Sequence, residues 1–224
     1  MNSEADFSLT VAVVGATGLV GTMMLQLLEE RGFPVGTLLP VASDRSVAAG
    51  ARVRFHGDLL HVVGLDDALA AKPDLALFSA GGSVSLEWAP KFAAVGTTVI
   101  DNSSAWRMHP DHKLVVPEVN GEALTEADLV IANPNCTTAQ LVMALKPIHD
   151  RWGIESGIVT TYQSVTGSGQ VGIAQLRSER AGAVAESPAY PHPIDRNVIP
   201  HCDVFDPTNG FTREEMKVWH ETRK

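Results

Sequence analysis

The stretch Leu9-Thr10-Val11-Ala12-Val13-Val14-Gly15-Ala16-Thr17-Gly18-Leu19-Val20-Gly21 decides how the first half of the chain folds. Residues 9–14 are a short apolar, β-branched run that stops at Gly15, the pattern of a buried strand. The glycines recur as Gly-x-x-Gly-x-x-Gly and open a helix predicted from Val20 to Arg31, with Leu25 and Leu28 toward the core and Gly32 closing it. Glycine here permits the turn, lets backbone N–H groups approach a pyrophosphate and allows close helix packing. The helix N-terminus then favours the anion. A plain tight turn can carry the same glycines, so the weight lies in their place between a first strand and a first helix.

Outward from this unit, further short apolar runs read as strands near Thr37–Val41, Leu75–Ser79, Thr98–Asp101 and Leu129–Ala132. A helix is predicted over Leu86–Ala94, and a hairpin pairs Val53–Phe55 with His61–Val63 around Gly57. Strands alternating with helices argue for a parallel sheet covered on both faces. The pattern changes at Asn133-Pro134-Asn135-Cys136. A helix is expected from Thr137 to Trp152, with Leu141, Leu145 and Ile148 on one face. Gly157–Ser164 is β-branched and reads as a strand, and Thr166-Gly167-Ser168-Gly169 as a loop opening another helix. Residues 182–210 should be mostly irregular, with a short strand at Asn197–Ile199. The last segment is helical, with Thr212 as N-cap and Glu215 completing a capping box.

The chain has 224 residues, 45% of them hydrophobic, which is enough to bury a core and excludes a mainly disordered or fibrous protein. Its net charge of −9 argues against a general nucleic-acid binder. Two cysteines make no disulfide scaffold and suit a reducing cytosol. No apolar run approaches the ~18 residues of a membrane span, and the N-terminus lacks the basic and apolar regions of a signal peptide.

Two further places carry chemistry. The run Ser43-Asp44-Arg45-Ser46 follows the second strand, where NAD sites often have an acidic residue. Arg45 offers a planar fork for a phosphate instead, flanked by two hydroxyls, which points to NADP; a solvated loop arginine is the alternative. Cys136 stands where a polar turn meets an apolar helix. Helix N-terminal N–H groups stabilise a thiolate, the form that attacks carbonyl carbon. A small packed thiol fits the position as well. Cys202, in Pro200-His201-Cys202-Asp203, has no such setting and is assigned to packing.

These segments together resemble the aspartate-semialdehyde dehydrogenases. The resemblance rests on Gly15–Gly21, Ser79–Ser83, the Asp-Asn-Ser-Ser-Ala-Trp-Arg-Met block at Asp101–Met108, Val116–Asn120, Ala-Asn-Pro-Asn-Cys-Thr-Thr at Ala132–Thr138, Thr161–Gly169, Asn197–Pro200 and Glu-Glu-Met-Lys at Glu214–Lys217. It implies an α/β fold with a Rossmann-like NADP-binding domain over residues 1–132 and a partial α+β catalytic and dimerisation domain over 133–224. It also implies reversible, NADP-dependent reductive dephosphorylation of 4-aspartyl phosphate to aspartate 4-semialdehyde, in lysine, threonine and methionine biosynthesis. By the same resemblance Cys136 is the nucleophile that carries an acyl-thioester, and Gln163 orients the substrate. Arg107 binds phosphate, and Glu214, Lys217 and Asn135 bind substrate or phosphate. Gly15, Thr17, Gly18, Leu19, Val20, Ser43, Arg45, Ser46, Ser79, Gly81, Thr166 and Gly167 fall on cofactor positions. No metal is expected, and a cytoplasmic homodimer or homotetramer is.

Read from residues alone, Glu214 and Lys217 could equally be a solvated i, i+3 helix pair, and Arg107 a surface ion pair. Family members continue past Lys224 to an arginine that grips the substrate carboxylate and a histidine acid/base. General acid–base help is typically worth ~10²–10⁴ in rate, so the expectation is little turnover by the 224-residue chain. Other possibilities are a non-catalytic NADP-binding fragment, an interaction partner of a full-length subunit, or an N-acetyl-glutamyl-phosphate reductase.

Overall fold

Strand β1 (Leu9–Val14) is the centre of the fold in the computed structural model, which describes residues 7–224. Its alternating side chains enter two separate cores. Ala12 and Val14 join Val41, Ala76, Phe78, Phe92 and Val99 on one face. Val11 and Val13 join Ala16, Leu25, Leu28 and Phe55 on the other. A strand buried on both faces must be apolar throughout, which is why this run lacks polar alternation. Each fully buried valine is worth roughly 1.5–3 kcal/mol over exposure.

The elements follow in order: α1 (Leu19–Glu30), β2 (Val35–Val41), α2 (Asp44–Ala48), β3 (Arg52–Phe55), β4 (Asp58–His61), α3 (Leu65–Ala70), β5 (Leu75–Phe78), α4 (Gly82–Ala94) and β6 (Thr98–Asp101). Then come β7 (Lys113–Leu114), α5 (Pro117–Asn120), β8 (Val130–Ala132), α6 (Cys136–Trp152), α7 (Gly169–Arg180) and α8 (Arg213–Glu221). Six strands form one sheet in the order β2-β1-β5-β6-β8-β7, with every pairing parallel. The chain leaves β1 for β2 on one side and returns to β5 on the other, so the topological switch point lies between β1 and β5.

The hairpin differs in register from the expected one. Arg52 pairs with His61 and Phe55 with Asp58, joined by His56 and Gly57 at φ 49 and 86. A two-residue turn with both φ values positive matches the twist of the strands and fixes this closer pairing. Val63 is released to bridge Val41.

The chain divides into two units: residues up to Lys146 together with Lys224, and Pro147–Arg223. Helix α6 runs through the division. In α6 only Thr138 is buried, and Ile148, expected on a covered face, is 45% exposed. In the second unit the expected strands at Gly157–Ser164 and Asn197–Ile199 are not formed. The β-branched residues supply propensity, but a strand also needs a neighbour to pair with, and among the described residues none pairs with 157–164. Ile158 is fully exposed there. What orders the irregular segment beyond α7 is polar. Buried Gln175 accepts from the Tyr190 N–H (2.9 Å) and donates to the His192 carbonyl (3.2 Å). Glu179 accepts from the N–H groups of Ile194 (2.7 Å) and Asp195 (2.8 Å).

Candidate active site

Because the six strands run parallel, the loops leaving β1, β2, β5, β6 and β8 share one edge of the sheet. The ladder extends one step into each. Gly15 N–H donates to Val41 (2.9 Å), Ser79 N–H to Val14 (2.8 Å), Asn102 N–H to Phe78 (2.9 Å) and Asn133 N–H to Asp101 (2.8 Å). The expected site residues of the first unit are therefore held in register at their roots.

At the switch point Gly15 has φ 92, and a Cβ on it would stand 2.4 Å from the Ser79 carbonyl oxygen. A Cβ on Gly21 would meet the Gly15 oxygen at 2.1 Å, and one on Gly18 at 3.2 Å. The turn thus packs backbone on backbone, bringing the β1 loop against the β5 loop. Gly18 is the N-cap of α1 and gives no side-chain cap, so the first-turn amides around Leu19 and Val20 have no side chain covering them. Thr17 and Val20 are exposed there. Gly81, at φ 93, precedes α4. A Cβ on it would meet no atom within 4 Å, so its need for glycine is conformational.

The loop after β2 is a short helix. Ser43 caps α2, accepting from Ser46 N–H at 3.4 Å, and the two hydroxyls lie 3.1 Å apart. Arg45 projects from this turn exposed.

Arg107 is buried, at 8% exposure. Its Nε donates to the Asn133 carbonyl (2.9 Å) and its Nη2 to the Asn102 carbonyl (3.0 Å). Asn133 Nδ2 in turn donates to Asn102 Oδ1 at 2.7 Å. The guanidinium is thereby fixed between the loops after β6 and β8, the second of which leads into Cys136. Asn135 Oδ1 accepts from the N–H groups of Thr137 (2.8 Å) and Thr138 (3.3 Å). It is the N-cap of α6, a role worth ~1 kcal/mol, and it leaves Cys136 exposed at the first helical position.

Lys224 also acts on this region. Its Nζ donates to the carbonyls of Arg107 (2.8 Å), His109 (2.6 Å) and His112 (2.8 Å). Burial lowers its pKa. The pKa of His112 is lowered too, by burial first and by neighbouring His109 next.

In the second unit Ser164 Oγ accepts from the Thr166 N–H at 3.3 Å, opening the turn that holds Thr166 and Gly167, both exposed. Gln163 is exposed, and its Oε1 accepts from Cys202 Sγ at 3.6 Å. The capping box at Thr212 and Glu215 starts α8 and sets Glu214 and Lys217 on its first turns. Lys217 Nζ donates to Glu214 Oε2 (3.1 Å) and to Asp203 Oδ2 (3.0 Å). Burial opposes the charge on Lys217, but the two carboxylates outweigh it and raise its pKa. Burial likewise works against the Asp203 carboxylate, and its bonds to Lys217 and the Val204 N–H still lower its pKa. Sequence pattern points to neither Asp203 nor Lys224. Their contacts reach across 14 and up to 117 residues and carry no local motif.

Residues 10–127 match the family model described as the semialdehyde dehydrogenase NAD binding domain, and residues 145–224 match the semialdehyde dehydrogenase dimerisation domain. An aspartate-semialdehyde dehydrogenase of Aquifex aeolicus is 50% identical over 222 residues, covering 96% of this chain and 64% of the relative. One from Legionella pneumophila is 49% identical, covering 96% and 63%. The crystal structure of aspartate semialdehyde dehydrogenase II complexed with ASA from Vibrio cholerae aligns with TM-score 0.90 at 46% identity, covering 97% of this chain and 66% of that one. The chain spans about 64% of the length of such relatives.

Proposed function

The chain belongs to the semialdehyde dehydrogenase family, and from that membership we propose that it interconverts aspartate 4-semialdehyde and 4-aspartyl phosphate with NADP, on the route to lysine, threonine and methionine. The observation that carries this reading is the exposed thiol of Cys136 at a capped helix N-terminus, on the same sheet edge as the glycine turn. The helix dipole there favours negative charge on a developing oxyanion.

Cys136 Sγ attacks the aldehyde carbon. The C–S bond forms, the carbonyl electrons move to oxygen, and that oxygen takes a proton to give a hemithioacetal. Collapse to the thioester releases that proton and a hydride from the same carbon; NADP, held at the glycine turn, would supply the acceptor. A phosphate oxygen then attacks the thioester carbonyl, the C–S bond breaks, and the thiolate of Cys136 departs from 4-aspartyl phosphate. Splitting the reaction at the enzyme sulfur replaces one hard step by two easier ones.

The cradle fits a dinucleotide. Side chains are excluded where Gly15 and Gly21 pack, and uncapped amides stand at the start of α1. Gly15, Thr17, Gly18, Leu19 and Val20 would hold the pyrophosphate. Ser43, Arg45 and Ser46 would take the 2′-phosphate, and Ser79, Gly81, Thr166 and Gly167 the remainder. Arg107, fixed in its plane by two carbonyls, would grip phosphate. Gln163 would orient the substrate, and Glu214 with Lys217 would bind its charged groups, with Asn135 beside them. The dimerisation-domain match supports work as a homodimer or homotetramer, and we place it in the cytoplasm.

Comparing aspartate semialdehyde with N-acetylglutamate semialdehyde, each with NADP or NAD and phosphate, tests the reading. NADPH should form with the first substrate and NADP, and depend on added phosphate for continued turnover. Preference for the second substrate would overturn the substrate assignment, and equal use of NAD would overturn the role of Arg45.

A further inference from the structure

The turn at His201-Cys202-Asp203 touches two of the side chains proposed to handle substrate. Cys202 Sγ donates to Gln163 Oε1, and the next residue, Asp203, accepts from Lys217 Nζ at 3.0 Å. Glu214 reaches the same ammonium from within α8, one turn away. Asp203 reaches it from outside the helix, so the two carboxylates hold Lys217 from different elements.

The backbone of the turn is specialised for this. Asp203 has φ 68, one of four non-glycine residues with positive φ among those described. Aspartate tolerates this region because its short side chain bonds locally. Here the carboxylate accepts from the Val204 N–H at 2.8 Å, and the Asp203 carbonyl faces His201 Nδ1 at 3.1 Å. Arg213 adds its charge near Asp203 from the start of α8. Side-chain exposures of 34% for Lys217, 28% for Asp203 and 11% for Glu214 leave the cluster only partly open to water.

We infer that Asp203 is a positioning residue for Lys217, fixing the ammonium where the substrate's anionic group is to be met. The inference rests on the substrate role given to Lys217 above. Lys217 shares its charge between two carboxylates on different elements, so it is held charged and aimed without being neutralised by a single tight partner.

Asp203→Asn keeps an oxygen for the Val204 N–H and removes the charge. Asp203→Glu restores the charge on a longer arm. Titrating the Lys217 ε-methylene resonance by heteronuclear NMR in the full chain reads the link directly, with Lys217→Arg as the assignment control. The midpoint should fall in Asp203→Asn and return toward the wild-type value in Asp203→Glu. An unchanged midpoint in Asp203→Asn overturns the inference. Inorganic phosphate added to the same samples should shift the Lys217 resonance, with severalfold weaker apparent affinity in Asp203→Asn. Equal affinity in the two proteins also overturns it. If phosphate moves neither resonance, the anion-binding role of Lys217 falls, while a lowered midpoint still upholds the hold of Asp203 on it.

Discussion

Cys136 owes its setting to the residue before it. Asn135 commits its side-chain oxygen to the amides of Thr137 and Thr138, which starts α6 at the cysteine and turns the thiol outward. The sequence showed a polar turn meeting a helix here, but it placed the start at Thr137 and left a packed thiol open; the cap by Asn135 and the exposure of Cys136 come from the structure. The same capping shows that Asn135 has a structural duty beside any contact with substrate. Cys202 is also exposed, so exposure alone does not separate the two thiols. Their surroundings do: Cys136 has a helix N-terminus, and Cys202 the oxygen of Gln163. Iodoacetamide should label Cys136 severalfold faster than Cys202, as read by peptide mass spectrometry over time. Equal rates would remove the special standing of Cys136. Asp203 and Lys224 were not legible, because a left-handed φ and bonds to distant carbonyls leave no trace in local residue pattern.

Among the elements, the buried strands of the parallel sheet and the elements set by local caps and turns were read closely, whereas the strands expected in the second unit and the hairpin register were not. The β1-turn-α1 unit and the capping box of α8 depend on residues within a few positions of each other. The Gly157–Ser164 segment has the composition of a strand and no neighbour to pair with among the described residues. The hairpin was displaced because its turn, not its valines, chose the register. The glycine turn allows a graded test. Gly21→Ala would drive a Cβ into the Gly15 carbonyl at 2.1 Å, whereas Gly18→Ala meets the same oxygen at 3.2 Å. Urea unfolding should show Gly21→Ala destabilised by about 3 kcal/mol and Gly18→Ala by clearly less. Equal losses would mean that the close packing at Gly21 is not what makes glycine necessary there.

For the whole molecule, parallel topology is what converts scattered motifs into a site. Residues as far apart as Gly15, Arg45, Ser79, Arg107 and Cys136 follow the ends of parallel strands and so share one edge of a sheet. Sequence patterning was sufficient for that inference, since helices alternating with buried strands admit few other arrangements. The charge also makes sense at this scale. Within a chain of net charge −9, Arg107 and Lys217 are cations held in place by their bonds, as the proposed binding of anionic substrates would require. Whether Cys136 carries the substrate as a thioester is decided by incubating the chain with aspartate semialdehyde and NADP without phosphate, following NADPH absorbance and mapping adducts by mass spectrometry. At most one NADPH per chain should form, with an aspartyl thioester on Cys136 that is absent from Cys136→Ser and released by added phosphate. NADPH formation undiminished in Cys136→Ser, or an adduct confined to Cys202, would contradict the thioester role of Cys136.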